Sequence, residues 1–179
     1  MTRKEIIFWR NKYDKEEDLY DKKLERELRK KFQKNKVVEK ADLIEIVKWK
    51  FQSPRLSGRC MRILSFVDRN EESTIREFSE LAFRNKNDET KLNLLCSPNI
   101  KGVGNALASV ILTFYDPKNY GILDIHAWRE LFGEEPQDLF LNRERAIDFF
   151  SKLREISSQT GFSCRDIEKA LFEKNLNKS

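Results

Sequence analysis

The chain has 179 residues, of which 36% are charged, and its formal net charge at pH 7 is +5. This length suits a single domain, residues 1–179, whose core needs no metal or disulfide to stay folded. The chain has three widely spaced cysteines, one histidine and no run apolar enough for a signal peptide or a membrane span, which predicts a cytoplasmic protein without a metal site, a cofactor or a membrane contact.

Basic residues are concentrated in the first third of the chain, where residues 1–59 hold 18 Lys and Arg against 11 Asp and Glu. Within it, four residues with apolar or aromatic side chains recur at a spacing of four, which predicts an amphipathic surface helix. They are Tyr20, Leu24, Leu28 and Phe32. A second helix is predicted at about 41–51. The basic residues are either an ordinary solvated face or a surface for nucleic acid, and both interpretations stay open.

The following helix is predicted to begin at Ser53, which has the chemistry of an N-cap, with Pro54 in the first turn. Three arginines share one face of it, which is either solvated or turned toward DNA: Arg55, Arg59 and Arg62. Two short helices, a buried helix, a long helix that ends at Gly161 and a last helix capped by Ser163 come next. No stretch alternates in polarity as a strand does, so the predicted fold class is all-α, with about eight to ten helices.

A glycine-rich turn at residues 102–104 separates two of these helices, and it is the stretch that indicates a binding site. The backbone amides of residues 102–105 are expected to be uncovered at the positive end of a helix, a geometry that binds phosphate. The candidate phosphate-binding residues are Lys101, Gly102, Val103, Gly104 and Asn105. A tight turn between packed helices explains the two glycines equally well, so they are a weak signal alone.

The surrounding sequence LLCSPNIKGVGNALASVILTF, within about residues 90–116, resembles the helix-hairpin-helix of DNA-binding and repair proteins. The following ILDIHAWREL narrows the resemblance to the helix-hairpin-helix DNA glycosylases, because Asp124 and His126 stand where that superfamily has an Asp and often a His. The resemblance implies a DNA-glycosylase-like helical bundle that contacts the phosphate backbone of double-stranded DNA. It also implies that Asp124 is the catalytic carboxylate, which stabilises the cationic sugar while a base is released.

Two departures from the superfamily limit what the resemblance implies. The bifunctional members have a lysine two residues after the second hairpin glycine, and this chain has Ala106 there. Lyase activity through a Schiff base is therefore not expected, unless another lysine such as Lys101 or Lys118 takes its place. Only Cys164 lies beyond the hairpin, so the four-cysteine iron–sulfur cluster of some members is not expected either.

Each candidate residue also has a purely structural explanation. Asp124 is explained as a helix N-cap, a role that is compatible with catalysis. His126 is explained as a packing residue. The functional alternative for His126, Arg55 and Arg59 is that they support the site around Asp124. The three tryptophans are core anchors or base-stacking platforms: Trp9, Trp49 and Trp128.

The expected function is hydrolysis of the N-glycosidic bond of a damaged or mispaired base by a monofunctional route, in a nucleoid-associated protein. One alternative is a non-catalytic module that binds DNA or another protein. The other is a helical protein whose turn matches by coincidence.

Overall fold

The computed structural model describes residues 1–52, 57–134, 138, 140 and 142–178. Over these residues the protein has ten α-helices and no strand, which confirms the predicted all-α class. The helices are α1 (Arg3–Glu16), α2 (Leu19–Asn35), α3 (Lys40–Lys50), α4 (Ser57–Val67), α5 (Glu72–Arg84), α6 (Asp88–Leu95), α7 (Asn105–Tyr115), α8 (Ile125–Phe132), α9 (Arg143–Thr160) and α10 (Cys164–Leu176). None of them is long and apolar enough to cross a membrane.

Three helix ends are set by the residues predicted for them. The Asp124 side chain caps α8, the Ser163 side chain caps α10, and Gly161 ends α9 with a left-handed φ of 76°. The expected N-cap Ser53, its neighbour Pro54 and the candidate Arg55 lie outside the described residues. Helix α1 was not expected from the sequence; it begins with a capping box and packs its one buried residue, Ile6, among core side chains.

Helix α7 is the centre of the core, because every residue from Asn105 to Phe114 is buried. It packs against α2, α3, α6 and α9, and the hairpin turn and Asp124 lie just before and just after it. The apolar face predicted for α2 is correct for Leu28 and Phe32 but wrong for Tyr20, which is 54% exposed. The first turn of α2 lies at the edge of the core, where the Tyr20 hydroxyl donates a hydrogen bond to the carboxylate of Glu45.

The segment that leads to Asp124 passes very close to α9 and α10 at Gly121. A Cβ on Gly121 would lie 2.5 Å from Leu153 Cδ1 and 2.8 Å from Glu168 Cβ. We expect Gly121→Ala to lower the free energy of unfolding by about 1–3 kcal/mol, the usual cost of overpacking a core. Urea unfolding followed by circular dichroism measures this loss.

The matched control for this substitution is Gly58→Ala on α4, where an added Cβ meets nothing within 4 Å. We expect it to leave stability unchanged or to raise it by less than about 1 kcal/mol. Equal unfolding midpoints for the two variants would contradict the close approach at Gly121.

Candidate functional site

The turn between α6 and α7 is present where it was predicted, and it is fastened to α4. Gly102 has a φ of 87°, and a Cβ there would meet three atoms of α4 at 3.1 Å, so the position suits only glycine. Val103 is buried under the turn. The buried Asn70 side chain both donates to the carbonyl and accepts from the amide of Lys101, at 2.9 and 2.8 Å. The hairpin backbone is therefore fixed by its own contacts.

The amides of this turn are not equally available to a ligand. The Gly102 N–H donates to Ser97 Oγ at 3.2 Å, and the Val103 N–H donates to a carbonyl within the turn at 3.2 Å. The expectation that residues 102–105 all have free amides is therefore wrong for the first two. The amides of residues 104–107 have no acceptor among the described residues. The candidate phosphate site consequently lies on the first turn of α7.

Lys101 and Asn105, the other two predicted phosphate contacts, differ in how accessible their side chains are. Lys101 is exposed, so its ammonium group is free to approach an anion. Asn105 is only 4% exposed. Its side-chain amide donates to the Phe140 carbonyl at 3.2 Å, and its side-chain oxygen accepts from the Cys96 thiol. Asn105 therefore offers a ligand its backbone amide, while its side chain is used for packing.

A cleft of about 310 Å³ opens at this end of α7, and we call it the hairpin cleft. Arg59 and Arg62 of α4 line it, and neither has a carboxylate partner in the part of the chain that the structure describes. The Arg59 guanidinium lies 5.2 Å from the centre of the Phe51 ring. Two exposed guanidinium groups beside the positive end of a helix make this cleft suitable for a phosphate.

Asp124 uses both of its carboxylate oxygens. Oδ1 accepts from the His126 amide at 3.0 Å, and Oδ2 accepts from Lys50 Nζ at 3.0 Å. Burial alone would raise the pKa of Asp124, but the Lys50 charge and the His126 amide outweigh it and lower the pKa below its ordinary value. The carboxylate is therefore ionised at neutral pH, with 20% of its side chain exposed.

Asp124 also lines a cleft of about 460 Å³, which we call the Asp124 cleft. This volume lies within the usual range for small-molecule sites and is sufficient for a nucleoside. Helices α1, α3 and α10 each contribute an aromatic side chain to its wall: Tyr13, Trp49 and Phe172. The prediction of Asp124 as an N-cap is confirmed, and the same residue faces a space that a ligand can enter.

The two clefts lie on either side of the C-terminal end of α3. Phe51 lines the hairpin cleft, whereas Lys50 and Trp49 line the Asp124 cleft. Consecutive Cα atoms are only about 3.8 Å apart, so the two sites are neighbours although they are not one cavity. The structure thus brings the hairpin and Asp124 to the same end of one helix.

The remaining candidates do not line the Asp124 cleft. His126 Nδ1 is 3.0 Å from the Asn175 side-chain oxygen, and the imidazole packs edge-on against Phe172, so its ring contacts α10. Ala106 lines the hairpin cleft. The lysine beside Asp124 is Lys50. It is not Lys101 or Lys118, the two lysines considered from the sequence. Among the described residues, no group of three or more His, Cys, Asp and Glu side chains is arranged to hold a metal ion.

Two residues of the site were not found from the sequence. Lys50 is one of many lysines in the basic first third of the chain, and Asn70 is a residue type that is common in turns. Neither stands out in the sequence, and only the fold places Lys50 against Asp124 and Asn70 against the hairpin. Comparison of the chain with protein-family models, with curated proteins and with solved structures found no match.

Proposed function

We propose that the protein binds double-stranded DNA through the hairpin cleft and hydrolyses the N-glycosidic bond of a damaged or mispaired base beside Asp124. The observation that carries the proposal is Asp124 itself, an ionised and largely buried carboxylate on the wall of a nucleoside-sized cleft. The neighbouring hairpin cleft supports it, since two arginines and amides that have no acceptor among the described residues suit a backbone phosphate.

In this proposal a phosphate binds the amides of residues 104–107, and the adjoining nucleotide turns out of the duplex so that its base enters the Asp124 cleft. Positive charge develops on the sugar as its bond to the base breaks. The Asp124 carboxylate offsets that charge and accepts a proton from the attacking water, whose oxygen bonds to C1′. The departing base keeps the electron pair of the broken bond and takes up a proton from solvent. Lys50 holds the carboxylate in place, and because an ion-paired lysine is a poor nucleophile, the route is hydrolysis without a Schiff base.

A non-catalytic module that binds DNA or a protein is the second candidate function. The observation that favours it is that both Asp124 oxygens already have partners, the His126 amide and Lys50. In that case Asp124 stabilises α8 and the end of α3, and only the hairpin cleft contacts the partner.

Binding to DNA is tested by neutralising the hairpin cleft with Arg59→Gln and Arg62→Gln together. Each arginine that contacts a phosphate adds about 0.9 to the slope of log affinity against log salt concentration, so we expect the slope to fall by about 2. Fluorescence anisotropy with a labelled undamaged duplex, titrated at several salt concentrations, gives this slope.

The matched control changes two exposed cationic residues near the end of α5, Arg84→Gln with Lys86→Gln. This control also removes two positive charges. It therefore distinguishes direct contact of DNA with the hairpin cleft from the general electrostatic attraction of DNA to a basic protein. Equal slopes for the two double variants, or a wild-type affinity that does not depend on salt, would overturn the hairpin cleft as the DNA site.

Base release is tested with duplexes that contain uracil, hypoxanthine, 8-oxoguanine, an alkylated base or a mismatch, followed by heating in alkali to cut abasic sites. Strand breaks that require the alkali step support a monofunctional glycosylase. Breaks without alkali would contradict the hydrolytic route. Salt-dependent binding with no base released from any duplex would establish the non-catalytic module instead.

A further inference from the structure

A third cleft, of about 660 Å³, opens at the opposite end of α7 from the hairpin, and we call it the Lys91 cleft. Its wall is formed by the first half of α6, by two residues of α9 and by the segments that precede α6 and follow α7. Among the described residues, none lines both this cleft and either of the other two. The proposed function therefore leaves the Lys91 cleft unused.

Lys91 is a buried lysine whose charge is not directly paired. The residue is only 6% exposed, and it makes no ion pair with any carboxylate of the described residues. Its Nζ donates to the Tyr120 hydroxyl at 2.9 Å and lies 4.8 Å from the centre of the same ring. A lysine is almost never buried without a charged partner, because removing an ammonium ion from water is costly. Its place on the wall of a cleft therefore needs an explanation.

Charged groups from three parts of the chain act on Lys91, and their effects oppose one another. Burial is the largest influence, and it lowers the pKa of the Lys91 ammonium group. Asp88 of α6 and Asp116 at the end of α7 raise this pKa, whereas Arg154 of α9 lowers it. The net result is a pKa below the ordinary value of 10.5, so Lys91 has more of the neutral amine at pH 7 than an exposed lysine has.

A chain of hydrogen bonds leads from Lys91 to α9. The Tyr120 hydroxyl accepts from Lys91 Nζ and donates to Asp88 Oδ1 at 2.7 Å. Arg154 donates to the other oxygen of Asp88 at 2.6 Å. Burial and the hydrogen bond to Asp88 raise the pKa of Tyr120, so its hydroxyl keeps its proton at neutral pH. A hydroxyl between an amine and a carboxylate can receive one proton while it passes on another.

The charges on the described wall of the cleft balance. Three cationic side chains and three carboxylates line it: Lys86, Lys91, Arg154, Asp88, Glu89 and Asp116. The side-chain amides of Asn85 and Asn87 line it too, and their N–H groups have no acceptor among the described residues. A wall without net charge that carries such donors suits a small, uncharged ligand with polar substituents.

We propose that Lys91 is a nucleophile that forms an imine with a small, uncharged, polar aldehyde bound in the Lys91 cleft. The electron pair of the amine forms a bond to the carbonyl carbon, and the carbonyl oxygen takes the electron pair of the broken C–O π bond. The nitrogen then gives up two protons, and the oxygen takes up two and leaves as water, so that a C=N bond remains. The Tyr120 hydroxyl relays these protons, with Asp88 as their temporary acceptor. Neither DNA nor Asp124 takes part, so the step does not rest on the proposed function.

Reductive trapping tests the proposal with the full-length protein. Glycolaldehyde is added at pH 7 with cyanoborohydride, which reduces an imine to a stable amine, and the labelled lysines are located by peptide mass spectrometry. We expect Lys91 to be labelled at least about 10-fold faster than exposed lysines, since each unit by which a lysine pKa falls gives about ten times more neutral amine. Its rate should saturate as glycolaldehyde is raised, because the aldehyde first binds in the cleft, whereas exposed lysines should respond linearly.

Two further measurements distinguish a nucleophile from a lysine that only packs. The labelling rate of Lys91 should reach half of its maximum at a lower pH than the rate of exposed lysines does, because its pKa is lowered. Tyr120→Phe should slow the labelling of Lys91 by at least about 10-fold, since it removes the proton relay. Tyr20→Phe is the matched control, because it also removes a hydroxyl that donates to a carboxylate, that of Glu45, and it should keep the full rate.

The wild-type labelling pattern decides the proposal without any variant. Labelling of Lys91 that is no faster than that of exposed lysines, or that never saturates, would overturn it. Equal rates in folded Tyr120→Phe and Tyr20→Phe proteins would overturn the relay through Tyr120. Glyoxylate, an anionic aldehyde, should favour Lys91 over exposed lysines less than glycolaldehyde does, and the reverse order would overturn the uncharged ligand class.

Discussion

Asp124→Asn is expected to slow base release by at least about 100-fold in single-turnover assays, since a positioned carboxylate contributes on the order of 100- to 10,000-fold to such a reaction. The substitution removes the negative charge and keeps the shape. Asparagine is as good an N-cap as aspartate, so the contact with the His126 amide and the end of α8 should be retained. A loss of rate is therefore attributable to the missing carboxylate, which in the proposed mechanism both offsets charge at the sugar and accepts the proton of the attacking water.

Two measurements make the Asp124→Asn result decisive. Circular dichroism and urea unfolding should show a folded protein, and the salt slope of DNA binding should equal that of the wild type, because the hairpin cleft is untouched. Asp148→Asn makes the same change in net charge on an exposed face of α9 and should keep the full rate. An Asp124→Asn protein that is folded and equally fast would remove Asp124 from the mechanism.

Arg165→Met is expected to lower the free energy of unfolding by about 3–5 kcal/mol, the usual cost of leaving buried carboxylates without their cation. Arg165 is 4% exposed and donates to both oxygens of Glu25, at 3.1 and 2.7 Å, and to one oxygen of Glu168. Urea unfolding gives the loss as a shift in midpoint. Lys23→Met, which breaks an exposed pair with Glu27, is the control and should cost less than about 1 kcal/mol.

The same pair makes stability depend on pH. Burial would raise the pKa of Glu25, but Arg165 and Lys169 lower it from 4.5 to about 2. A carboxylate whose pKa is lower in the folded state than in the unfolded state stabilises the folded state. This stabilisation is complete at pH values above the unfolded-state pKa, and it is lost as the pH falls toward the folded-state pKa. The wild type should therefore lose stability between pH 4.5 and 2, and Arg165→Met should lose less there; identical pH profiles would contradict this assignment.

Local patterns predicted the elements because each end has its own chemical signal. Asp124, Ser163 and Gly161 mark helix ends as capping residues do, and the unbroken apolar run after Gly104 forms the central helix α7. Helix α1 was missed because its sequence is mostly polar and only Ile6 is buried. It is held by contacts with distant parts of the chain, which periodicity does not report.

The site was predictable to a smaller extent. The turn and Asp124 follow from residue types in order along the chain, whereas the contacts of Lys50 and Asn70 depend on which helices meet. The occupied amides of Gly102 and Val103 are a similar case, since the Ser97 hydroxyl and the Ile100 carbonyl become their acceptors only once the turn has closed. Spacing along the sequence gives candidates, and three-dimensional packing decides which atoms remain available.

Helices α1 and α10, which both line the Asp124 cleft, come from opposite ends of the chain. Lys169 bonds to Asp14 across 155 positions, and Lys174 bonds to Glu5 across 169. Bringing such distant segments together costs chain entropy that only an assembled core repays. The hairpin cleft, by contrast, is built largely from α4 and the start of α7. Partial unfolding at the chain ends would thus open the Asp124 cleft while the hairpin cleft survives. Under the proposed function, binding to DNA would then tolerate more heat and denaturant than release of a base.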